Sequence, residues 1–299
     1  MSPGRRPNGA DAASSDRVFI EPAARRQAML DMIAGSRERL VLSLFRCNDF
    51  AILDALAAAL ERGVKVEAIV TKRAKGGKKR LKKLWETLEA MGAVVHRYGD
   101  PVVKYHAKYV VADGKTAMVA TLNPTKKCFT RTLDVVLTTD ERAVVRSLLT
   151  LFALDAAGER ILPRHRISSR LIVGPEGARA RMRALLTGAR HSIRILDHKL
   201  SDPDLVALLR ERRDKGIIVS VVGRQPTGPL VPHGKLMIID EAQAVLGSMA
   251  MSALSLDFRR EVSIVTEAPD VLQALNHFYQ DLSARAGQSI SLLPGDRAA

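Results

Sequence analysis

The sequence predicts an α/β protein made of two similar lobes. Short apolar runs of strand length alternate with Ala/Leu-rich runs of helical spacing, which is typical of parallel strands covered by helices. Residues 33–37 (IAGSR) resemble residues 186–190 (LTGAR), 153 positions further along the chain. The pattern H-x-K-x4-D begins at His106 and again at His233. A single repeat of this length indicates a duplicated domain.

Composition places the chain among basic globular proteins. It has 299 residues, 46% of them apolar, and a formal net charge of +15. Such a charge favours anionic partners, namely nucleic acid, anionic lipid surfaces or phosphorylated substrates. Aromatic residues make up only 4%, which weakens the case for a single-strand binder that stacks bases. No run approaches the roughly 18 apolar residues of a membrane span, so we expect a cytoplasmic protein, with peripheral contact with an anionic membrane left open.

The elements of the first half follow in order. Residues 1–16 are rich in Gly, Pro, Ser and Arg, and we expect them to form a disordered tail. Glycines end the helical runs, and the strand runs are apolar on both faces, as in a covered sheet. The predicted elements are a helix over 22–35, a strand over 40–45, a helix over 50–61, a strand over 64–70, a helix over 79–91 and a strand over 93–98.

The second half repeats this plan in a shorter form. The two H-x-K-x4-D motifs are 127 positions apart, which is 26 fewer than the general repeat distance of 153. The missing residues correspond to the basic run 72–83 and the helix and strand after it. This run is either a solvated loop or the rim of the active-site groove. We expect a first lobe over 17–162 and a second over 163–299.

The motif copies continue in parallel, and together they supply the candidate site. An acid follows each histidine after 28 positions: Asp134 in the first copy and Glu261 in the second. A chance match could produce one copy but not two copies with matching continuations. The candidate residues are His106, Lys108, Asp113, Thr121, Asn123 and Asp134 in the first copy, and His233, Lys235, Asp240, Ser248 and Glu261 in the second.

These residue types suit phosphoryl transfer. Because alternate residues of a strand share a face, the histidine and lysine of each motif should point the same way. Two lysines can neutralise a phosphodiester and the charge that develops in its transition state. Two histidines can divide the work, one attacking phosphorus and the other protonating the leaving oxygen.

The remaining candidates have supporting roles. We expect the acid after each motif to accept a hydrogen bond from the far ring nitrogen of a histidine. Asp113 and Asp240 complete the catalytic motifs, and we expect them to brace the site and not to react. Hydrogen bonds to phosphate oxygens are expected from Thr121, Asn123 and Ser248.

The duplicated motif resembles that of the phospholipase D superfamily, H-x-K-x4-D-x6-G-S-x-N, and the resemblance covers about residues 25–293. It implies two α-β-α sandwich lobes with pseudo-twofold symmetry and an active site between them. It also implies a phosphohistidine intermediate that water or an alcohol resolves, with no metal or other cofactor. By resemblance, His106 would be the nucleophile and His233 the general acid, although the near symmetry leaves their order open. Because both copies lie in one chain, the site requires no oligomer.

The chain departs from the family pattern at three positions. Thr121 stands where the pattern has Ser and Asp134 where Glu is usual, so the hydroxyl and the acid are kept. Ala250 stands in place of Asn and removes one phosphate donor. Both histidines and both lysines remain, so we still expect activity. His198 aligns with Phe45 after the first strand of its lobe, where sites form, and is a candidate substrate contact.

Three functions are compatible with these patterns. The first is a phosphodiesterase that cleaves or transfers the phosphatidyl group of a glycerophospholipid. The family's cardiolipin synthases usually carry amino-terminal membrane spans, and the lack of one here favours hydrolysis. The second is a nuclease that uses the same histidines and lysines on DNA or RNA, in line with the basic charge. The third, least favoured by the intact motifs, is a binder of phosphate groups without catalysis.

Overall fold

The computed structural model describes residues 15–72, 77–223, 228–286 and Leu293. The first lobe contains strands β1 (Arg17–Phe19), β2 (Arg39–Leu44), β3 (Lys65–Thr71), β4 (Val94–Tyr98), β5 (Lys104–Tyr105), β6 (Tyr109–Ala112), β7 (Thr116–Ala120), β8 (Thr132–Leu133) and β9 (Val136–Thr139), and helices α1 (Pro22–Gly35), α2 (Phe50–Glu61), α3 (Lys78–Ala90) and α4 (Arg142–Ala157). The second lobe contains strands β10 (Leu171–Val173), β11 (Ser192–Asp197), β12 (Ile218–Val222), β13 (Val231–Pro232), β14 (Lys235–Ile239), β15 (Gln243–Gly247), β16 (Arg259–Arg260) and β17 (Val262–Thr266), and helices α5 (Ala178–Gly188), α6 (Pro203–Asp214), α7 (Ala253–Phe258) and α8 (Pro269–Ala286).

The main sheets of the two lobes have matching strand orders. The first is β1-β9-β7-β6-β2-β3-β4, and the second is β10-β17-β15-β14-β11-β12. Every strand of the second sheet has a counterpart in the first, and within the described residues β4 has none in the second. The predicted duplication is thus visible in the topology, and the extra helix and strand of the first lobe are α3 and β4.

Both sheets are mixed, which corrects the prediction of parallel strands. Strands β2, β3 and β4 pair in parallel, as do β11 and β12. The strand after each motif instead returns as a tight hairpin, so β6–β7 and β14–β15 are antiparallel. A short turn can join only antiparallel neighbours, because a parallel pair requires a long crossover.

Each lobe is an α-β-α sandwich, as expected. Because β2 is covered on both faces, its residues alternate between two cores: Leu40 and Leu42 pack with α1, α2 and α3, whereas Val41 packs with α4. In the second lobe α5, α6 and α7 cover one face of the sheet and α8 packs in the other core. The core that contains α4 and α8 includes residues of both lobes, so the lobes share buried apolar surface. No helix of the described ranges has the length and apolar character needed to cross a membrane.

Residues at the amino-terminal boundary differ from the predicted tail. Residues 1–14 of that tail lie outside the described residues. Asp16 is only 8% exposed, and its carboxylate accepts from Arg170 and from the hydroxyl of Thr266 in the second lobe. A carboxylate buried against a guanidinium has a fixed position, so Asp16 belongs to the folded protein.

Candidate active site

Two short parallel ladders cross between the lobes and build the site. Strand β5 pairs with β16, and β13 pairs with β8. The N–H of His106, directly after β5, donates to the Arg260 carbonyl at 2.9 Å. The N–H of Gly234, after β13, donates to the Leu133 carbonyl at 2.7 Å. Each motif is therefore held beside the segment that leads to the acid of the opposite lobe.

The two acids are exchanged between the lobes. Nδ1 of His106 lies 2.9 Å from Oε2 of Glu261, and Nδ1 of His233 lies 2.9 Å from Oδ1 of Asp134. Each acid serves the histidine of the other motif copy and not that of its own. With Nδ1–H donated to a carboxylate, Nε2 of each ring keeps its lone pair for the reaction.

The motifs are not continuous strands, which corrects the prediction. The backbone from His106 to Lys108 falls in the gap between β5 and β6, because it leaves a ladder with the second lobe and joins the sheet of the first. The histidine and lysine still meet: Lys108 Nζ lies 2.7 Å from the His106 carbonyl oxygen and 3.3 Å from its Nε2. Lys235 likewise donates to the His233 carbonyl.

Burial sets the protonation of the first half of the site. It lowers the pKa of His106 to about 3 and outweighs the opposing effect of Glu261, so this ring is neutral at pH 7. Burial also lowers the pKa of Lys108 to about 7, with Lys235 and Lys199 adding repulsion. The positive charges of Lys108, Lys199 and Lys235 lie close enough to repel one another. An anionic phosphate bound among them would be strongly stabilised.

Burial and neighbouring charges also set the pKa values of Asp134, Glu261 and His233. Burial raises the pKa values of Asp134 and Glu261, but the facing histidines and nearby lysines outweigh it and hold both pKa values below the usual range. The pKa of His233 is lowered by burial despite the opposing effect of Asp134. Its side chain is 28% exposed, whereas that of His106 is 12% exposed.

Thr121 and Ser248 do not face a substrate, which corrects the expectation that they bind phosphate. Both are fully buried. The Thr121 hydroxyl donates to Asp134 at 2.7 Å and accepts from the Val135 N–H at 2.9 Å. The Ser248 hydroxyl accepts from the Val262 N–H at 3.0 Å. These hydroxyls support the segments that carry the acids.

Asn123 remains available to a substrate. It is 8% exposed, its Oδ1 has no hydrogen-bond partner within the described residues, and it borders the same cleft as His233. Its counterpart Ala250 is 1% exposed, and its N–H donates to the Ser255 hydroxyl. Ser255 in turn donates to Glu261 at 2.8 Å, so this position supports the acid.

Asp113 and Asp240 lie away from the reacting groups. Each follows the far end of the strand after its motif, and four residues of β6 alone span about 13 Å. The carboxylate of Asp113 accepts from the backbone N–H groups of residues 37–39 at 2.8 to 2.9 Å. Asp240 does the same for residues 190–192 at 2.7 to 2.9 Å. Both aspartates brace the turn before the central strand and do not belong with the catalytic groups.

Residues at the carboxyl ends of β2 and β11 complete the surroundings. The Phe45 ring lies 4.7 Å from that of His106, and the His198 ring stacks 5.7 Å from that of His233. Lys199 follows His198, and its pKa is lowered first by burial and then by repulsion from Lys235. Lys199 was not among the residues predicted from the sequence. It occupies the repeat position of Arg46, and that shared basic character was the available signal.

One group of potential metal ligands touches the site. Ligand atoms of Cys128, Asp134 and His233 all lie within 4.8 Å of one another. Asp134 already accepts from Thr121 and His233, and the buried guanidinium of Arg25 lies 3.9 Å from its other oxygen. This arrangement does not fit a cation, because the positive groups nearby repel one and the carboxylate is occupied.

Comparison with known proteins identifies a similar domain for the first lobe. Residues 29–155 match a family model described as "Cardiolipin synthase, PLD-like domain". The first lobe is therefore similar to a PLD-like domain, in line with the family that the duplicated motif resembles. A search of curated proteins found no match.

Solved structures share the fold over nearly the whole chain. A polyphosphate kinase from Porphyromonas gingivalis superposes with a TM-score of 0.72 at 17% identity, over 90% of this chain and 50% of that one. A phosphatidylserine synthase from Haemophilus influenzae Rd KW20 gives a TM-score of 0.68 at 11% identity, over 93% of this chain and 87% of that one. The present chain spans only half the length of the kinase. At these identities the likeness concerns the fold alone.

Proposed function

We propose that this protein cleaves or transfers the phosphatidyl group of a glycerophospholipid through a phosphohistidine intermediate. The observation that carries the proposal is the pair of crossed histidine–carboxylate contacts beside two buried lysines. Two imidazoles with their Nδ1 atoms fixed, next to concentrated positive charge, suit in-line displacement at phosphorus.

The proposed reaction has two steps. Nε2 of His106 attacks phosphorus, the bond from phosphorus to the leaving oxygen breaks, and protonated His233 gives its proton to that oxygen. His233 then takes a proton from water or an alcohol, whose oxygen attacks phosphorus and displaces His106. The lysines neutralise the phosphate oxygens in both steps. The negative phosphate favours the imidazolium form of His233 once substrate is bound.

A lipid substrate is favoured by the cleft that opens beside His233, because leucine side chains line it. The description of the matched family as a cardiolipin synthase domain is in line with a phosphatidyl substrate. An alternative substrate is nucleic acid. The formal net charge of +15 and the exposed lysines of α3 favour that alternative, because phosphate backbones attract such surfaces.

The test is a parallel assay of the wild-type protein and His106→Ala on labelled phosphatidylcholine, cardiolipin, plasmid DNA and single-stranded DNA. Release of a head group by the wild type alone, without DNA cleavage, supports the lipid function. DNA cleavage without head-group release would replace it with the nuclease. Ethanol added to the lipid reaction separates transfer, which yields phosphatidylethanol, from hydrolysis, which yields phosphatidate.

A further inference from the structure

A cleft of about 540 Å³ opens beside His233 and Asn123 and extends between α2 and α3. Its volume falls within the roughly 300–1,000 Å³ range of small-molecule sites. One wall is α3, which belongs to the unit that has no counterpart among the described residues of the second lobe. The cleft therefore makes the site asymmetric, so that the two substituents of a bound phosphate meet different surroundings.

The lining of the cleft combines an apolar part with the polar side chains of Asn48, Thr87, Asn123, Thr125 and Thr132. Cys47, Leu53, Leu81 and Leu84 form the apolar part, and Phe50 stands at the mouth of the cleft with 79% of its surface exposed. A nucleobase site would offer an aromatic platform together with polar groups for the base edges. Here Phe50 is mostly in solvent and the other ring of the lining, His233, belongs to the candidate active site, so the leucine-lined part suits an alkyl chain better than a base.

The rim of the cleft is positively charged. Arg46, Arg80, Lys83 and Lys127 contribute to its lining, and none of the described residues that line it is acidic. All four basic residues are exposed, so they can approach a charged group at the mouth without leaving water. An apolar wall beside a cationic rim is complementary to an amphiphile that carries both an apolar chain and an anionic group.

We infer that the cleft between α2 and α3 binds an acyl chain of a phospholipid substrate, while the basic rim binds its anionic portion. This inference rests on the proposed function. Each methylene group that enters the cleft should improve binding by roughly fourfold, the factor that corresponds to burial of one CH₂ group. The length of the acyl chain should therefore influence which phospholipids the protein prefers.

Chain-length preference tests the inference. The measured quantity is the ratio of kcat/KM for dioctanoyl phosphatidylcholine to kcat/KM for dibutanoyl phosphatidylcholine, both below the concentrations at which they form micelles. We expect a wild-type ratio above about tenfold. Thr87 lines the cleft from α3, and Thr87→Trp should lower the ratio about tenfold by filling the space. Glu86→Trp is the matched control, because Glu86 is 60% exposed, does not line the cleft, and its variant should keep the wild-type ratio.

The outcomes separate this inference from the proposed function. Bis(p-nitrophenyl) phosphate has no alkyl chain, and its cleavage by the wild type beyond the level of His106→Ala reports on the reaction itself. Cleavage of this substrate with a wild-type chain-length ratio near one overturns the cleft assignment and leaves phosphodiester chemistry standing. No cleavage of any phosphodiester overturns the proposed function.

Two further arms keep the test decisive. If Thr87→Trp proves unstable in a thermal melt, Leu53→Ser, which makes the leucine-lined part more polar, should lower the same ratio. A short oligonucleotide serves as a competing substrate. If Thr87→Trp raises its KM while the chain-length ratio stays at the wild-type value, the cleft is a nucleic-acid site and the acyl assignment is wrong.

Discussion

The two halves of the site have the same backbone arrangement, but the side chains around the two histidines differ. His106 is 12% exposed and lies against Phe45, with Glu261 as its acid. His233 is 28% exposed, lies against His198 and opens into the cleft, with Asp134 as its acid. In the proposed reaction the more enclosed His106 is the nucleophile, and the more exposed His233 exchanges protons with the leaving and entering oxygens. The duplicated backbone thus places the two histidines alike, whereas the side chains around them differ.

Loss of either histidine should have the largest effect on this comparison. We expect His106→Ala and His233→Ala each to lower kcat by about 10⁴ or more, because in the proposed reaction each removes a group that acts on the reacting atoms. The halves separate in an acid quench with phosphorus-labelled substrate. His233→Ala should retain label on His106, because its nucleophile is intact. Label that remains in His106→Ala would reverse the assignment.

Removal of the charge from the exchanged acids should rank next. Glu261→Gln and Asp134→Asn keep the size of each side chain but no longer stabilise an imidazolium, so each should lower kcat by about 10²–10³. If the acids act across the lobes, Glu261→Gln should impair labelling of His106, the nucleophile of the other lobe. Asp134→Asn should instead slow release from the labelled enzyme. A Glu261→Gln protein that labels at the wild-type rate would contradict this arrangement.

The pH profile tests the unequal burial of the two halves. Because the pKa of Lys108 is lowered to about 7 in the free protein, its positive charge is present below that pH and is lost as the pH rises through it. We therefore expect kcat/KM to fall up to tenfold per pH unit above about pH 7. Arginine stays charged, so Lys108→Arg should move this alkaline limb upward by more than one pH unit even if its maximum is lower. An unmoved limb would mean that another group titrates.

The smallest kinetic effect should come from the bracing aspartates. Asp113→Ala removes an acceptor of three backbone N–H groups, so it should lower the free energy of unfolding by about 1–3 kcal/mol. Asp240→Ala should do the same in the other lobe. A thermal melt should show the loss of several degrees, with kcat within about twofold of wild type. A fall of kcat by a hundredfold in a folded variant would return Asp113 to the catalytic groups.

Much of the fold could be predicted because helices and strands depend largely on residues that are close together in the sequence. The helix over 50–61 was predicted from an apolar run, and it forms with the Asp49 carboxylate accepting from the N–H of Ile52. The shorter spacing between the motifs predicted the extra helix and strand of the first lobe. The antiparallel part of each sheet was missed, because alternation of strand and helix indicates elements and not the direction of every pairing.

The sequence predicted that the two histidines and the two acids lie together, but not which acid contacts which histidine. Each acid lies 28 positions after the histidine of its own motif. Because this spacing is equal in both copies, it does not indicate which histidine each acid contacts. Their exchange depends on ladders of two residues, which are too short to leave a periodic pattern. Thr121 and Ser248 have the chemistry of phosphate donors, but the fold turns both hydroxyls toward buried backbone. The sequence alone does not indicate whether a small polar side chain beside a site points toward the substrate or toward the backbone.

The crossed ladders also restrict how the protein can move. If one lobe rotated against the other, β5 would separate from β16 and β13 from β8, and both histidines would lose their carboxylates together. A hinge motion between the lobes would therefore break both histidine–carboxylate contacts each time the lobes opened. Substrate entry that leaves the lobes closed would preserve both histidine–carboxylate contacts.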